Sequence, residues 1–269
     1  MNKRISIIGC GWLGLPLAAE LVINGHSVKG STTSADKLDL LKAAGIDPFE
    51  VKIFEDKIDG NIHDCLKDSE ILIINIPPGL RKHPNSDFTE KMALLCEHIE
   101  HSEIEKVLYV SSTSVYEESS DMPIITEEST PNAQSETAKQ LIATEQLFKT
   151  NQNFQTTIVR FGGLIGDDRD PSKFLSGKKE VKDPLGPVNL IHQHDCIGII
   201  KAILKNEHWQ TEFNAAAPQH PTKEVYYTTV CDAKNLPRPQ FDHSSLSNGK
   251  FISSKKVEQI LKYVFLHTL

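Results

Sequence analysis

Ile5-Ser6-Ile7-Ile8-Gly9-Cys10-Gly11-Trp12-Leu13-Gly14 is an apolar run followed at once by three glycines, and it decides how the rest of the chain is read. Leu13, Leu15, Leu17, Ala18, Leu21 and Val22 then recur at helical spacing, Asn24-Gly25-His26 stops the pattern, and Ser27-Val28-Lys29-Gly30 begins a second strand. The order is strand, glycine turn, helix, strand. In that order the first glycine closes a tight turn, the second lets backbone approach a pyrophosphate, and the third lets the helix pack closely on its strand. Amides at the helix N-terminus then face the phosphate charge. Gly9, Gly11, Trp12, Leu13 and Gly14 are therefore the candidate contacts to a dinucleotide, although a glycine turn can also join a strand to a helix with no ligand.

The end of the second strand bears on which dinucleotide. A site that prefers NAD places Asp or Glu about 20 residues beyond the turn, where it accepts bonds from the ribose hydroxyls. Here the chain reads Gly30-Ser31-Thr32-Thr33-Ser34, with no acid. A carboxylate would repel a 2′-phosphate, whereas the hydroxyl and amide donors around Ser31 and Thr32 would tolerate one, with Lys29 or Lys37 as charge partners. The expected cofactor is NADP, with NAD as the alternative. A Ser/Thr turn capping a helix that starts near Ala35 would suit either.

With 269 residues and 39% hydrophobic content the chain can bury a full core, enough for one large α/β domain and a small appended lobe. A net charge of −7 argues against a general nucleic-acid binder. Cys10, Cys65, Cys96, Cys196 and Cys231 are odd in number and form no Cys-x-x-Cys pair, as expected of reduced, mostly buried thiols in the cytoplasm. Neither a secretory leader nor an apolar run of membrane length is present, so a cytoplasmic protein with no membrane partner is expected. Of the 11 histidines, His192 and His194 form the one close pair; no third ligand is in evident reach, and no metal is expected.

Further along, Phe49-Glu50-Val51 reads as a short strand, residues 62–66 as a helix edge, and residues 71–76 as a buried parallel strand ended by Pro77-Pro78-Gly79. Ile76 and Pro77, at such a strand end, are further cofactor candidates. A helix is expected over 88–99, a core strand over 106–110 running into Ser111-Ser112-Thr113-Ser114-Val115-Tyr116, a helix over 136–149 and a strand over 156–161. The strand ends of a doubly wound sheet converge on the ligand crevice. Residues 166–179 are polar and loop-like, residues 188–192 apolar again, and helices are expected over 196–204, around Tyr226 and Tyr227, and over 255–264.

The early Gly-x-Gly-x-x-Gly, the Ser-Ser-x-x-Val-Tyr stretch at 111–116, Val159-Arg160-Phe161 with Gly166 after it, and Leu190-Ile191-His192-x-x-Asp195 together resemble the extended short-chain dehydrogenase/reductase family of epimerases, dehydratases and reductases. Ile76-Pro77-Pro78-Gly79 and Gly30-Ser31 look most like an atypical branch of it. The resemblance implies an α/β fold, a Rossmann-type doubly wound parallel sheet with a small C-terminal α/β substrate lobe. An NAD(P)-binding domain would take residues 1–165, completed by about 188–215, and the substrate lobe 166–187 and 216–269.

Family chemistry is carried by a Tyr-x-x-x-Lys pair, in which the lysine lowers the tyrosine pKa, and by an assisting serine. Ser112 matches the serine and Lys139 the lysine; the tyrosine position is Ser135. An aliphatic hydroxyl starts several units above a phenol and is too short to reach the phenol's place, so the usual proton transfer is not expected. Tyr116, or Tyr226 or Tyr227, could supply a phenol; a water held by Ser112, Ser135 and Lys139 could serve; or cofactor could bind without turnover. Ser111 and Lys139 are assigned to the cofactor, and Ser112, Thr113, Arg169, Lys173 and His192 to a small-molecule substrate. A cation group at 169–179 in an acidic chain suits an anionic ligand such as a nucleotide sugar, unless the neighbouring acids cancel it. The resemblance further implies a homodimer. Two functions of different class follow: an NAD(P)-dependent oxidoreductase or epimerase-like enzyme with altered proton chemistry, or a catalytically degenerate cofactor-binding module that reports redox state to a partner.

Overall fold

The structure, a computed structural model, describes residues 2–269. In chain order its elements are β1 (Arg4–Ile8), α1 (Gly14–Ile23), β2 (Ser27–Thr32), α2 (Leu38–Ala43), β3 (Asp47–Ile53), β4 (Ile58–Gly60), α3 (Ile62–Leu66), β5 (Ile71–Ile74), α4 (Phe88–Glu100) and β6 (Lys106–Ser112). They continue with β7 (Ile124–Ile125), α5 (Glu136–Thr150), β8 (Gln155–Phe161), β9 (Gly163–Ile165), α6 (Ser172–Leu175), β10 (Leu190–His192), α7 (Gln193–Asn206), β11 (Glu212–Ala215), α8 (Lys223–Ala233), β12 (Phe251–Ile252) and α9 (Lys255–Ile260).

Eight strands form one sheet in the order β11-β8-β6-β5-β1-β2-β3-β4. The pairs β1–β2, β1–β5, β2–β3 and β5–β6 are parallel, and the short β4 runs antiparallel to β3. This is the doubly wound α/β arrangement expected from the alternation of apolar runs and helical patterns. Strand order reverses between β1 and β5, so Gly9 and Asn75, which follow those two strands, stand at the switch point where such sheets bind ligands. β5 is apolar on both faces because both are covered, with Leu72, Ile73 and Ile74 fully buried; β1 buries Ile5 and Ile7 on one face and, on the other, Ser6, whose hydroxyl donates to the Cys65 carbonyl at 2.5 Å.

By internal contacts the chain divides into two compact units. One is Met1–Ser111, Gln134–Arg160 and Ile200–Glu212; the other is Ser112–Ala133, Phe161–Ile199 and Phe213–Leu269. The first holds a buried ion network. Arg160 on β8, 2% exposed, donates through Nε and Nη2 to the Glu145 carboxylate of α5 at 2.6–3.0 Å and also meets Glu212 at 2.9 Å, while the Ser111 hydroxyl donates to Glu145 at 2.6 Å. Every charge in it is paired, which is the condition for burying charge at tolerable cost. The second unit holds two short parallel ladders, β9 with β10 and β7 with β12, and the contact of α6 with α8. All five cysteines are free and buried, and among the described residues no helix is long and apolar enough to cross a membrane.

Most boundaries shift by a few residues, and two of the shifts have a clear physical cause. The strand expected over 71–76 ends at Ile74, because the Asn75 side chain turns to donate to the Gly9 carbonyl at 3.1 Å. The helix expected over 255–264 ends at Ile260: Lys262 takes a left-handed φ of +53°, and the Tyr263 hydroxyl and the amides of Leu266 and His267 bond instead to the Asp195 carboxylate. A buried carboxylate with several donors outweighs a further turn of helix.

Candidate functional site

The three glycines of the first turn meet different surroundings. Gly9 has φ +104°, and a Cβ there would strike the Asn75 carbonyl, with the Ile76 side chain 3.3 Å away. A Cβ on Gly14 would strike the Gly9 carbonyl, with Asn75 Nδ2 at 3.0 Å. At Gly11 it would meet nothing within 4 Å. The first and third glycines are thus demanded by the turn itself, while the second borders open space. α1 begins without a side-chain cap; the Leu15 amide is bonded to the Gly11 carbonyl at 3.0 Å and Pro16 has no amide hydrogen, so what this end offers an anion is the open space beside Gly11 and the positive end of the helix. A dinucleotide pyrophosphate fits this cradle.

Asn75 and Ser31 hold the turn. Besides the Asn75 bond to Gly9, the Gly9 amide donates to Ser31 Oγ at 3.1 Å and the Cys10 amide to the Ser31 carbonyl at 2.8 Å. Ser31, 2% exposed, therefore props the turn from inside; Thr32 is buried and its hydroxyl accepts from the Ser34 amide at 3.3 Å. Leu13 is buried, Trp12 and Ile76 are half-buried and Pro77 is exposed. Burial pushes the Cys10 thiol up to about 12, so it stays protonated. Asn75 was missed by the sequence reading, though a lone amide between Ile74 and Ile76 was the signal available.

Residues 31–34 at the end of β2 carry no acidic side chain, and Asp36 is exposed in the 3-10 turn that follows. Of the two candidate charge partners, Lys29 is committed elsewhere, donating to the carbonyls of Asp64 and Lys67 at 2.7 Å, and Lys37 is exposed in the 3-10 turn Ala35–Lys37. Ser111 is likewise committed, to Glu145.

Ser135 is the N-cap of α5: extended in backbone, it accepts through Oγ from the Ala138 amide at 3.3 Å. Its hydroxyl has a helix-capping job that a phenol cannot perform, which accounts locally for serine at this position. Lys139 is exposed one turn later on the same helix, its amide bonded to the Ser135 carbonyl at 2.9 Å.

The other candidates belong to the second unit. Ser112 Oγ accepts from the Ser114 amide at 3.1 Å, capping the 3-10 turn Thr113–Val115, and Thr113 is buried. Tyr116 is 1% exposed; its hydroxyl donates to Asn214 Oδ1 at 3.1 Å, in the interior of the unit. Tyr226 and Tyr227 pack edge to face on α8, and burial pushes Tyr226 up to about 12, away from the phenolate a base would need. Tyr227 is raised too, again by burial first. Arg169 and Lys173 are exposed. His192 is half-buried; burial and then the neighbouring imidazoles of His267 and His194 hold it below its ordinary value. His267, far along the chain from His192, stacks on it with centroids 3.7 Å apart. That is the third imidazole which sequence spacing did not supply.

No known family profile matches the chain. Protein YeeZ of Escherichia coli K12 is 32% identical to it over 251 residues, 92% of this chain and 89% of that protein. Among solved structures, the UDP-glucuronic acid 4-epimerase of Bacillus cereus in complex with NAD superposes with a TM-score of 0.79 at 16% identity, over 99% of this chain and 92% of that one. A short-chain dehydrogenase/reductase superfamily protein from Agrobacterium tumefaciens with bound NAD gives 0.78 at 15% identity, over 99% and 93%. A conserved protein of unknown function from Silicibacter pomeroyi gives 0.75 at 16%, over 99% and 94%. The chain therefore belongs to the family of the Escherichia coli YeeZ protein, and it carries the fold of the short-chain dehydrogenase/reductases and NAD-dependent epimerase/dehydratases.

Proposed function

We propose that this chain binds NADP(H) at the turn after β1 and acts as an oxidoreductase or epimerase-like protein on a carbonyl or sugar-nucleotide-type substrate. The observation that carries the reading is the contrast among the glycines: Gly9 and Gly14 are enclosed, whereas the space beside Gly11 is free at an uncapped helix N-terminus. Gly9, Gly11, Trp12, Leu13 and Gly14 would hold the pyrophosphate, Asn75 and Ser31 would keep the turn in shape, and Ile76 and Pro77 would border the nucleotide. The lack of an acid among residues 30–34, at the end of β2, supports NADP over NAD. When bound, the nicotinamide supplies hydride chemistry.

Lys139 is assigned to the nicotinamide ribose. Ser112, Thr113, Arg169, Lys173 and His192, all in the second unit, are assigned to the substrate, whose sugar-nucleotide class is drawn from the structural neighbours described with UDP sugars. With Ser135 capping a helix and Tyr116 bonded in the interior, the proton step falls to a water beside Ser135 and Lys139. The same two observations favour a second reading, a module that binds cofactor without turnover. A homodimer, implied by the resemblance, completes the proposal and is checked by analytical ultracentrifugation.

Calorimetric titration with NADPH and NADH is the first test, with NADPH expected to bind at least about tenfold tighter, a difference of about 1.4 kcal/mol. Equal affinity removes the NADP preference, and no heat with either removes the whole proposal. Carbonyl compounds and nucleotide sugars are then screened for NADPH turnover. Turnover abolished by Lys139→Met supports the enzyme; saturable NADPH binding with no turnover across the screen supports the module.

A further inference from the structure

Apart from the nucleotide turn, one group of side chains stands out by chemistry. His192 ends β10, His194 is the second residue of α7, and His267 arrives from the segment after α9. One ligand atom from each lies within 4.8 Å of the others. The rings of His192 and His194 have centroids 4.8 Å apart, and those of His194 and His267 5.3 Å. We propose that His192, His194 and His267 bind one divalent transition-metal ion of the zinc class, which clips the segment after α9 to the junction of β10 and α7.

What places the third ring is independent of the other two. Asp195, 1% exposed, accepts from the Tyr263 hydroxyl at 2.9 Å, the Leu266 amide at 2.7 Å and the His267 amide at 3.2 Å. Gly198 makes room for this docking, since a Cβ there would fall 2.6 Å from Tyr263 Cε2. The same carboxylate lies 3.1 Å from His267 Nδ1, which holds the proton on that nitrogen and leaves Nε2 as the ligating atom. A carboxylate behind a ligating imidazole is the usual support of a metal-bound histidine. At His192 the nitrogen facing a carboxylate is Nε2, 3.8 Å from Asp167 Oδ1, and Nδ1 accepts the His194 amide at 3.2 Å. His192 would therefore ligate through Nδ1, exchanging that amide for the metal.

An imidazole binds a metal in its own plane, so the stacked His192 and His267 rings, 16° apart in plane, must open. Their terminal torsions are broad and allow it. Nitrogens around a tetrahedral ion at about 2.0–2.1 Å stand roughly 3.4 Å apart, so the widest separation in the cluster has to contract by about 1.4 Å. Three neutral imidazoles select zinc, copper or nickel over magnesium or calcium, and a water takes the fourth position.

Titration of the full chain with Co2+, a spectroscopic stand-in for Zn2+, tests the site. One equivalent is expected to give the visible bands of tetrahedral Co2+, which Zn2+ displaces and Mg2+ does not. His194 is exposed, so His194→Ala keeps the fold, verified by circular dichroism, and is expected to weaken binding at least about 100-fold; Asp195→Asn is expected to weaken it about 10–100-fold. Hydrogen exchange at the amides of Leu266 and His267 is expected to slow at least about tenfold with Zn2+, by the linkage of binding to local opening. The absence of cobalt bands, or bands undiminished in His194→Ala, overturns the site. Unchanged exchange at saturating Zn2+ overturns the clip.

Discussion

The glycine turn after β1 and the first turn of α5 belong to the same compact unit and use small residues to opposite ends. At the turn, two glycines are demanded by close backbone and the third leaves a free space at the N-terminus of α1. At α5, Ser135 spends its hydroxyl on the Ala138 amide, where the chemistry of related folds would place a phenol. The glycine turn has the backbone form its sequence predicts; the position where the family resemblance expects a tyrosine is a helix cap. Binding a dinucleotide is a requirement on backbone shape, whereas moving a proton is a requirement on one side chain, so a single substitution touches the second far more than the first.

The largest effects expected are at the enclosed glycines. Gly14→Ala and Gly9→Ala should each cost about 1–3 kcal/mol of stability in urea denaturation through overpacking, with backbone strain added at Gly9, and should remove measurable NADPH binding. Gly11→Ala probes the open side. Its stability should stay within about 0.5 kcal/mol of the native protein, yet calorimetry should show NADPH binding weakened by roughly tenfold or more. Native affinity in Gly11→Ala would break the contrast between the enclosed glycines and the open one.

Ser135→Ala addresses the other half. Loss of the cap should cost about 1 kcal/mol, with Ser135→Thr restoring most of it, and NADPH affinity should not move. A fall in affinity would return Ser135 from the cap to the cofactor site. The smallest effect is in the second unit, at His220. Burial holds it below its ordinary value of 6.5 against the bonds from its neighbours, so the unfolded chain takes up the proton first. Its contribution to stability is intact above about 6.5 and is lost as pH falls toward the lower folded value. The melting temperature of His220→Asn should therefore gain on that of the native protein between pH 7 and pH 5.

Much of this could be read along the chain. The apolar runs at 71–74 and 106–110 are strands because covered parallel strands are apolar on both faces, and Gly-x-Gly-x-x-Gly between a strand and a helix constrains its own backbone so tightly that residue types alone announce it. Ser135, where the family resemblance leads one to expect a tyrosine, was visible too. Its reason was not, because a cap is a bond to an amide three residues on that exists only once the helix has begun at Glu136. Ser31 illustrates the same limit: the sequence offers a hydroxyl near a ribose, and the structure turns it inward to the Gly9 amide.

Local pattern by itself therefore determined the strand–turn–helix–strand unit and the alternation of strands and helices, since these depend on neighbours in sequence, and it showed a serine at 135. Only the tertiary structure decided where the hydroxyls and cations are spent: Lys29 on the carbonyls of Asp64 and Lys67, Ser111 on Glu145, and Tyr116 on Asn214. It alone brought His267 beside His192 and His194, because the carboxylate of Asp195 that draws it there acts across 72 residues of chain, a distance over which no periodicity carries information.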